Sequence, residues 1–438
     1  MARSSPPALP GLPVLGNALS FMRDPVALIR AGRAELGPVF ALKMGPKRSV
    51  VVVGPEQSRQ TIALPESTLQ VTPVYQWVEP MFGRVMQAAD HEDYLRQRAA
   101  LVPAFHGHNH GDYLAAIVGE TRSWLDSLGR QGTFDAAADL ERLSMDIAVR
   151  LFLGAGFRDR HGVRFREYFL DIAAGMEFFL PANLPLPRLR RRDRAKKAIF
   201  ELMRPYLRAV RTDPDTGRHG FLAHLAGSDE SFDDDTVIGL ILILVYAAYE
   251  TTAAQLAWAL ILLLQNPKAT AEIEIELADL LVDSRAWAVV DLHRQRLLFE
   301  ALLEAQRLRP VTTMLTRHTA AAYEVCGYEV PAGWQTLFCP PATHRDEDVF
   351  PNPDEFDPSR FSPARDSAGT AASSLLNLGG GLHACLGARF ADLEMKAVLA
   401  MLLRGYDLEL TNADPPPAPG LGVARPLSPC GIRYRARQ

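Results

Sequence analysis

A chain of 438 residues with 48% hydrophobic and 22% charged side chains has a globular balance, far from the low-hydrophobicity, high-charge corner where disorder lies. Forty-seven Lys and Arg against fifty-one Asp and Glu leave a net charge of -4, which excludes the strong basic field of a nucleic-acid binder. Four cysteines (Cys326, Cys339, Cys385 and Cys430) are too few to staple a chain this long and suit a reducing cytosol, so a cytoplasmic setting is expected.

Residues 1–20 form a Pro-rich start without the apolar run of a signal peptide. Within it, Leu-Pro-Gly-Leu-Pro-Val-Leu-Gly at 9–16 suits neither helix nor central strand, because Pro fixes φ and withholds an N–H. Residues 39–44 and 49–53 read as two strands around a Gly45-Pro46 turn. After this β-rich opening, apolar residues recur at helical spacing over 94–105, 113–128, 138–153, 165–179 and 194–211. The acidic stretch 227–235 reads as a loop whose last Asp residues suit the first turn of the next helix. That helix, 237–264, is the one candidate membrane span. Its uninterrupted apolar run before Glu250, residues 237–249, is 13 residues long, short of the ~18 of a spanning helix, and it reads as a buried core helix. Helices continue over 266–281 and 291–308. A β-like region over 312–338 follows, with a Pro331-Ala332-Gly333 turn after 323–330. A loop through Pro340, Pro351, Pro353 and Pro358 leads to glycines 379–381, a last helix over 386–404, and a loop-and-edge-strand tail around 415–417. With no repeat and no linker, 1–438 is expected to be a single domain, mainly α with a smaller β part.

The sharpest chemical signal is Leu378-Gly379-Gly380-Gly381-Leu382-His383-Ala384-Cys385-Leu386-Gly387, directly before a helical pattern. A cysteine under a helix N-terminus has a lowered pKa, and glycines let backbone approach a flat ligand. A thiolate so placed is an axial ligand for haem iron. On this loop alone, a phosphate-binding turn or a buried structural cysteine are equally open. Other segments arrive in order. Glu304-Ala305-Gln306-Arg307 puts an acid and a base on one helix face, and His344-Arg345-Asp346 and Phe356-Asp357-Pro358-Ser359-Arg360-Phe361 follow. The long helix carries Ala247-Ala248-Tyr249-Glu250-Thr251-Thr252, where a lone Glu is costly unless solvated, paired or neutral. His106-Gly107-His108-Asn109-His110 tempts a metal reading, but without neighbouring Cys it reads better as a solvated helix connection. The basic run 188–194 reads as a solvated loop.

Together these segments resemble the cytochrome P450 family along nearly the whole chain. The resemblance implies the P450 fold, with haem between the long central helix and the helix after the Cys loop. It implies Cys385 as thiolate ligand of heme b (iron protoporphyrin IX), with Gly381 and Gly387 in the loop against the cofactor. Tyr94, Arg98, Arg317 and His383 match propionate ligands; Tyr94 stands where Trp or His is usual, and His91 rivals it if the register slips. Glu304, Arg307 and Arg360 match a buried charge network, and Glu250 with Thr251 an acid–alcohol pair that relays protons to oxygen.

The activity so implied is insertion of one oxygen atom of O2 into a hydrophobic small molecule (terpenoid, polyketide, steroid-like or fatty) in secondary metabolism. A peroxygenase, or a rearranging or desaturating enzyme on the same scaffold, is the alternative, against which the Glu250-Thr251 pair argues. Electrons from NAD(P)H would come through a separate ferredoxin or flavodoxin and its reductase, docking near Arg389 and Lys396. Val74, Tyr75, Phe82, Tyr246, Ala247 and residues 311–315 are expected to line the substrate pocket. Two positions depart from the family pattern: Leu378 replaces the usual Phe and Ala248 the usual Gly. The likeness to sterol demethylases is closest at 185–194 and 323–333, but those enzymes usually carry His where this chain has Glu250, so a sterol substrate is not implied.

Overall fold

The computed structural model describes residues 4–105, 109–177, 181–212, 221–226, 232–280, 287–366, 369–419 and 422–437. Its axis is the helix Asp234–Gln265. The Asp233 side chain accepts from the Thr236 N–H, and Asp234 and Asp235 sit in the first turn, where carboxylates meet free N–H groups. Beyond that turn the helix is apolar on every side, the pattern of a helix packed all round. It is long and apolar enough to cross a membrane, yet 72% of its most apolar window is buried inside the fold. Helices Ala136–Leu153, Pro187–Thr212, Arg296–Leu308 and Ala388–Gly405 enclose it. Its own Trp258 and the neighbouring Phe152, Phe157, Phe165 and Phe169 are almost completely buried.

The β part is small and lies to one side. Five strands pair in the order Val39–Met44, Lys47–Val52, Gln335–Phe338, Leu315–Thr319 and Leu69–Gln70. One pair is parallel, Ser49 opposite Gln335 through Val52 opposite Phe338. A second sheet joins Gln131–Asp135, Gly431–Ala436 and Tyr406–Leu410, and Tyr323–Val325 and Tyr328–Val330 form a hairpin.

Several elements differ from the sequence expectation. The opening is not only β, because helices Ala18–Arg23, Pro25–Leu36 and Pro55–Ile62 precede or follow its strands. The second is capped by Asp24 with Pro25 at its first position, a start signal that the sequence carries. The helix expected from 165 runs Ala155–Ala174, its first half hidden by Gly156, Gly162 and a polar surface. The basic run 188–194 is not a loop. It forms the first turns of Pro187–Thr212, where Arg192 is buried and donates to the Ala182 carbonyl at 2.8 Å. The helix over 291–308 divides into Val289–His293 and Arg296–Leu308. Of the His cluster, His106 and His108 lie outside the described residues, while His110 starts the helix His110–Leu128 and packs on Tyr113. Residues 178–180, 227–231 and 281 also lie outside them.

Candidate active site

The chain over 376–387 is irregular because it is pinned from both ends. The Leu376 N–H donates to Nε2 of His344 at 2.8 Å, and the Cys385 N–H donates to the Leu378 carbonyl at 2.9 Å. His344 is completely buried and its pKa is pushed down to about 3 by burial, then by Arg345 and Arg307, so the ring is neutral and can accept that bond. Gly379 and Gly381 have φ of +71° and +61°, in the left-handed region that glycine tolerates. The loop so folded presents Cys385 to a hollow in the protein interior.

Two joined hollows of about 770 and about 1080 Å³ share Ala247, Thr251, His383 and Cys385 in their walls. The first is otherwise apolar, with Phe105, Phe152, Ile243, Leu244 and Phe390. A third hollow of about 1700 Å³ shares Tyr75, Val311 and Thr312 with the second and is walled by Val74, Trp77, Met176, Tyr246 and Met314. Of the residues expected to line a pocket, Phe82 does not: it is fully buried one layer back, stacked on Phe169 and tilted against Tyr246.

Cys385 lines the cavity and is exposed to it, and burial pushes its thiol up, against the Gly387 N–H and the Arg98 charge. The expectation that a helix N-terminus lowers it therefore fails for the free thiol. The helix begins only at Ala388, and burial outweighs the Gly387 N–H and the Arg98 charge. Around one rim the structure gathers Tyr94, Arg98, Arg317 and His383. The Tyr94 ring lies 4.6 Å from that of His383, its hydroxyl donates to the Leu382 carbonyl at 3.3 Å, and Arg98 donates to the same hydroxyl at 3.4 Å. Arg317 is buried, and burial pulls its guanidinium down while Tyr75, Glu66 and Tyr94 hold it up. His91, the rival to Tyr94, starts the helix His91–Leu101 on its exposed side.

Thr251 lines both hollows, and its hydroxyl donates to the Ala247 carbonyl one turn earlier at 2.6 Å, leaving its lone pairs free. Ala248 lines the first hollow beside it, and Leu378 the second. Glu250 stands elsewhere: consecutive helix residues project about 100° apart, and its side chain lines the 1700 Å³ hollow. Burial pushes its carboxyl up, Glu141 pushes it further, and Arg425, which pairs with Glu141 at 2.7 Å, pulls the other way.

Glu304, Arg307 and Arg360 meet outside the cavity. Arg307 grips Glu304 through two bonds of 2.7 and 2.8 Å, and Arg360 reaches the same carboxylate at 3.2 Å. The remaining guanidinium N–H groups donate to carbonyls of His344, Pro351, Asn352, Pro353 and Glu355. The trio is thus a tie for the Pro-studded loop.

Reading the sequence missed three polar groups here. Gln255 is 4% exposed and borders the second hollow with neither amide atom partnered. Its i+4 spacing from Thr251 is a usable signal. Asn377 donates to Gln306 across the same wall, and Glu66 contacts His383. Of the expected docking cations, Arg389 is exposed, but Lys396 is buried against Phe299 and paired with Asp392 at 2.9 Å, so it offers no surface charge.

The donor set suits a haem. One soft sulfur stands in a cavity with an apolar wall, a rim carries two guanidiniums and a phenol, and the buried Nδ1 of His383 is unpartnered.

The cytochrome P450 family model matches residues 6–431. Obtusifoliol 14-alpha demethylase of Triticum aestivum is 29% identical over 431 residues, covering 94% of this chain and 93% of that protein. Cyclooctat-9-en-7-ol 5-monooxygenase of Streptomyces melanosporofaciens is 27% identical over 425 residues, covering 92% and 91%. A retinoic acid bound cyanobacterial CYP120A1 superposes with a TM-score of 0.86 over the whole of both chains at 24% identity, a likeness of fold. A match spanning this much of the sequence, with relatives named as demethylases and monooxygenases and a shared fold, has one meaning: the chain belongs to the cytochrome P450 family and is a P450 monooxygenase.

Proposed function

We propose that the enzyme inserts one oxygen atom of O2 into a bulky terpenoid or steroid-like molecule, using heme b held by Cys385 and electrons from NAD(P)H through a separate ferredoxin or flavodoxin and its reductase, in the cytoplasm. One observation carries the reading: Cys385 and Thr251 line a common cavity whose rim gathers Arg98, Arg317, Tyr94 and His383. When bound, the haem supplies the iron and the redox chemistry that activates oxygen.

The chain's own residues divide the remaining work. Arg98, Arg317 and His383 hold the cofactor's carboxylates, with Tyr94 keeping Arg98 and His383 in register. Gly381 and Gly387 keep the loop close to the macrocycle, and Glu304, Arg307 and Arg360 fix the loop behind it. Thr251 would orient a water at Oγ1, since its own hydrogen already serves Ala247 and its lone pairs can accept. Glu250, kept toward its neutral form, stores a proton on the substrate side. It returns that proton through water in the space where the hollows join at Tyr75, Val311 and Thr312. The aromatic and aliphatic side chains of Val74, Tyr75, Trp77, Met176, Tyr246 and Met314 in the wall of the third hollow favour a large lipophilic substrate.

The test is spectroscopic. The reduced protein under carbon monoxide should show the red-shifted Soret band of thiolate ligation, and Cys385→Ala should abolish it. A colourless protein, or a band unchanged by Cys385→Ala, refutes the reading. Titration of the ferric enzyme with terpenoid and steroid-like compounds should give a spin-state shift for members of that class and none for short fatty acids.

A further inference from the structure

We infer that Glu66 is a positioning residue for His383, so that the loop before Cys385 is aligned by the segment ending the helix Pro55–Ile62. This rests on the reading that places the cofactor's carboxylates beside His383.

A carboxylate at this rim is unexpected in itself, since a negative charge beside propionates is unfavourable unless it is engaged elsewhere. Glu66 is engaged at both oxygens. Oε2 lies 2.6 Å from Nε2 of His383, and Oε1 accepts the Val71 N–H at 3.1 Å. Burial pushes its carboxyl up, but the bonds from His383 and Val71 outweigh that and hold it below the usual range. The ring of His383 is also packed on Tyr94, which leaves the buried Nδ1 without a partner on a ring that lines the cavity. The Glu66 bond therefore fixes the orientation of the ring, so that Nδ1 faces the cavity where the cofactor's carboxylates would lie.

The same segment meets the loop a second way. A Cβ on Gly380 would stand 2.7 Å from Cγ2 of Ile62, and one on Gly381 3.0 Å from Cα of Ala63. Side-chain-free backbone is therefore needed where loop and segment touch, and the Glu66–His383 bond closes the contact 317 residues apart in sequence.

The test measures haem transfer from purified holoenzyme to excess apomyoglobin, followed at the Soret band, in a double-mutant cycle. Outer-shell ligands typically change affinity roughly 10- to 100-fold. Glu66→Ala should speed haem loss about 10-fold, and Glu66→Gln, which keeps an acceptor for His383, should stay within about 3-fold of wild type. Glu66→Ala/His383→Ala should lose haem no faster than His383→Ala alone, because the first change acts through the second residue. A general weakening of the fold would instead persist in the double variant. Multiplying effects, or a Glu66→Ala rate equal to wild type, overturns the inference while leaving the haem site standing. A His383→Ala variant that keeps haem as wild type does overturns the placement of the carboxylates, and the role of Glu66 with it.

Discussion

Glu394 lies on the helix Ala388–Gly405 and is buried, accepting a hydrogen bond from Ser144 Oγ at 2.7 Å. Burial pushes its carboxyl up from 4.5 to about 8, with Ser144 pulling the other way. Between those values the folded protein keeps the proton while the unfolded chain gives it up. The native state then binds more protons than the unfolded one, and stability falls as pH rises. At 1.36 kcal/mol per pH unit, the loss between pH 5 and pH 7.5 is about 3 kcal/mol. Glu394→Gln keeps the shape and the acceptor for Ser144 but cannot ionise. Urea unfolding of the holoenzyme, followed by circular dichroism at both pH values, should therefore show a small gain for the variant at pH 5 and a gain larger by about 3 kcal/mol at pH 7.5. Parallel pH dependence in wild type and variant would refute the reasoning.

Other outcomes follow from the same geometry. Thr251→Ala should leave NAD(P)H consumption running while product per NAD(P)H falls and hydrogen peroxide rises, measured by peroxide assay beside product yield; unchanged coupling would favour the peroxygenase-like alternative. Glu250→Gln should lower turnover roughly 100-fold at neutral pH, as loss of a general acid does, with substrate affinity by spectral titration nearly unchanged. Arg307→Ala strands the Glu304 carboxylate in the interior and should cost about 3–5 kcal/mol, read as loss of soluble holoenzyme or a lowered urea midpoint. Arg307→Lys should not restore it, because an ammonium lacks the forked donors that reach both carboxylate oxygens and three carbonyls.

The parts of the site that were legible in sequence are those carried by local pattern. The central helix shows as an apolar run, the Cys loop as glycines before a helical period, and the Glu304–Arg307 pair as i,i+3 spacing. Contacts that close through space left little trace. Nothing near Glu66 announces a partner 317 residues away, and Glu394 looks like an ordinary carboxylate on an amphipathic helix. Spacing also said that Glu250 and Thr251 are neighbours without saying that a 100° step sends them into different hollows. Lys396 was misjudged for a related reason. A cation four residues after Asp392 suits a solvated face, but Phe299 covers it from another helix. The helix start at Ala155 was hidden because its surface residues carry no hydrophobic period.

Two guanidiniums satisfy five carbonyls between positions 344 and 355, all from chain that repeats no regular hydrogen-bond pattern of its own. Loops ordinarily absorb insertions and deletions, since water replaces whatever contact is lost. Here arginine stands in for water, at fixed reach and fixed angle, so the segment's length is as tightly set as the register of a strand. One residue added or removed between His344 and Glu355 would carry some of these carbonyls out of reach of Arg307 and Arg360. A stretch that looks disposable by secondary structure is among the least extensible in the molecule.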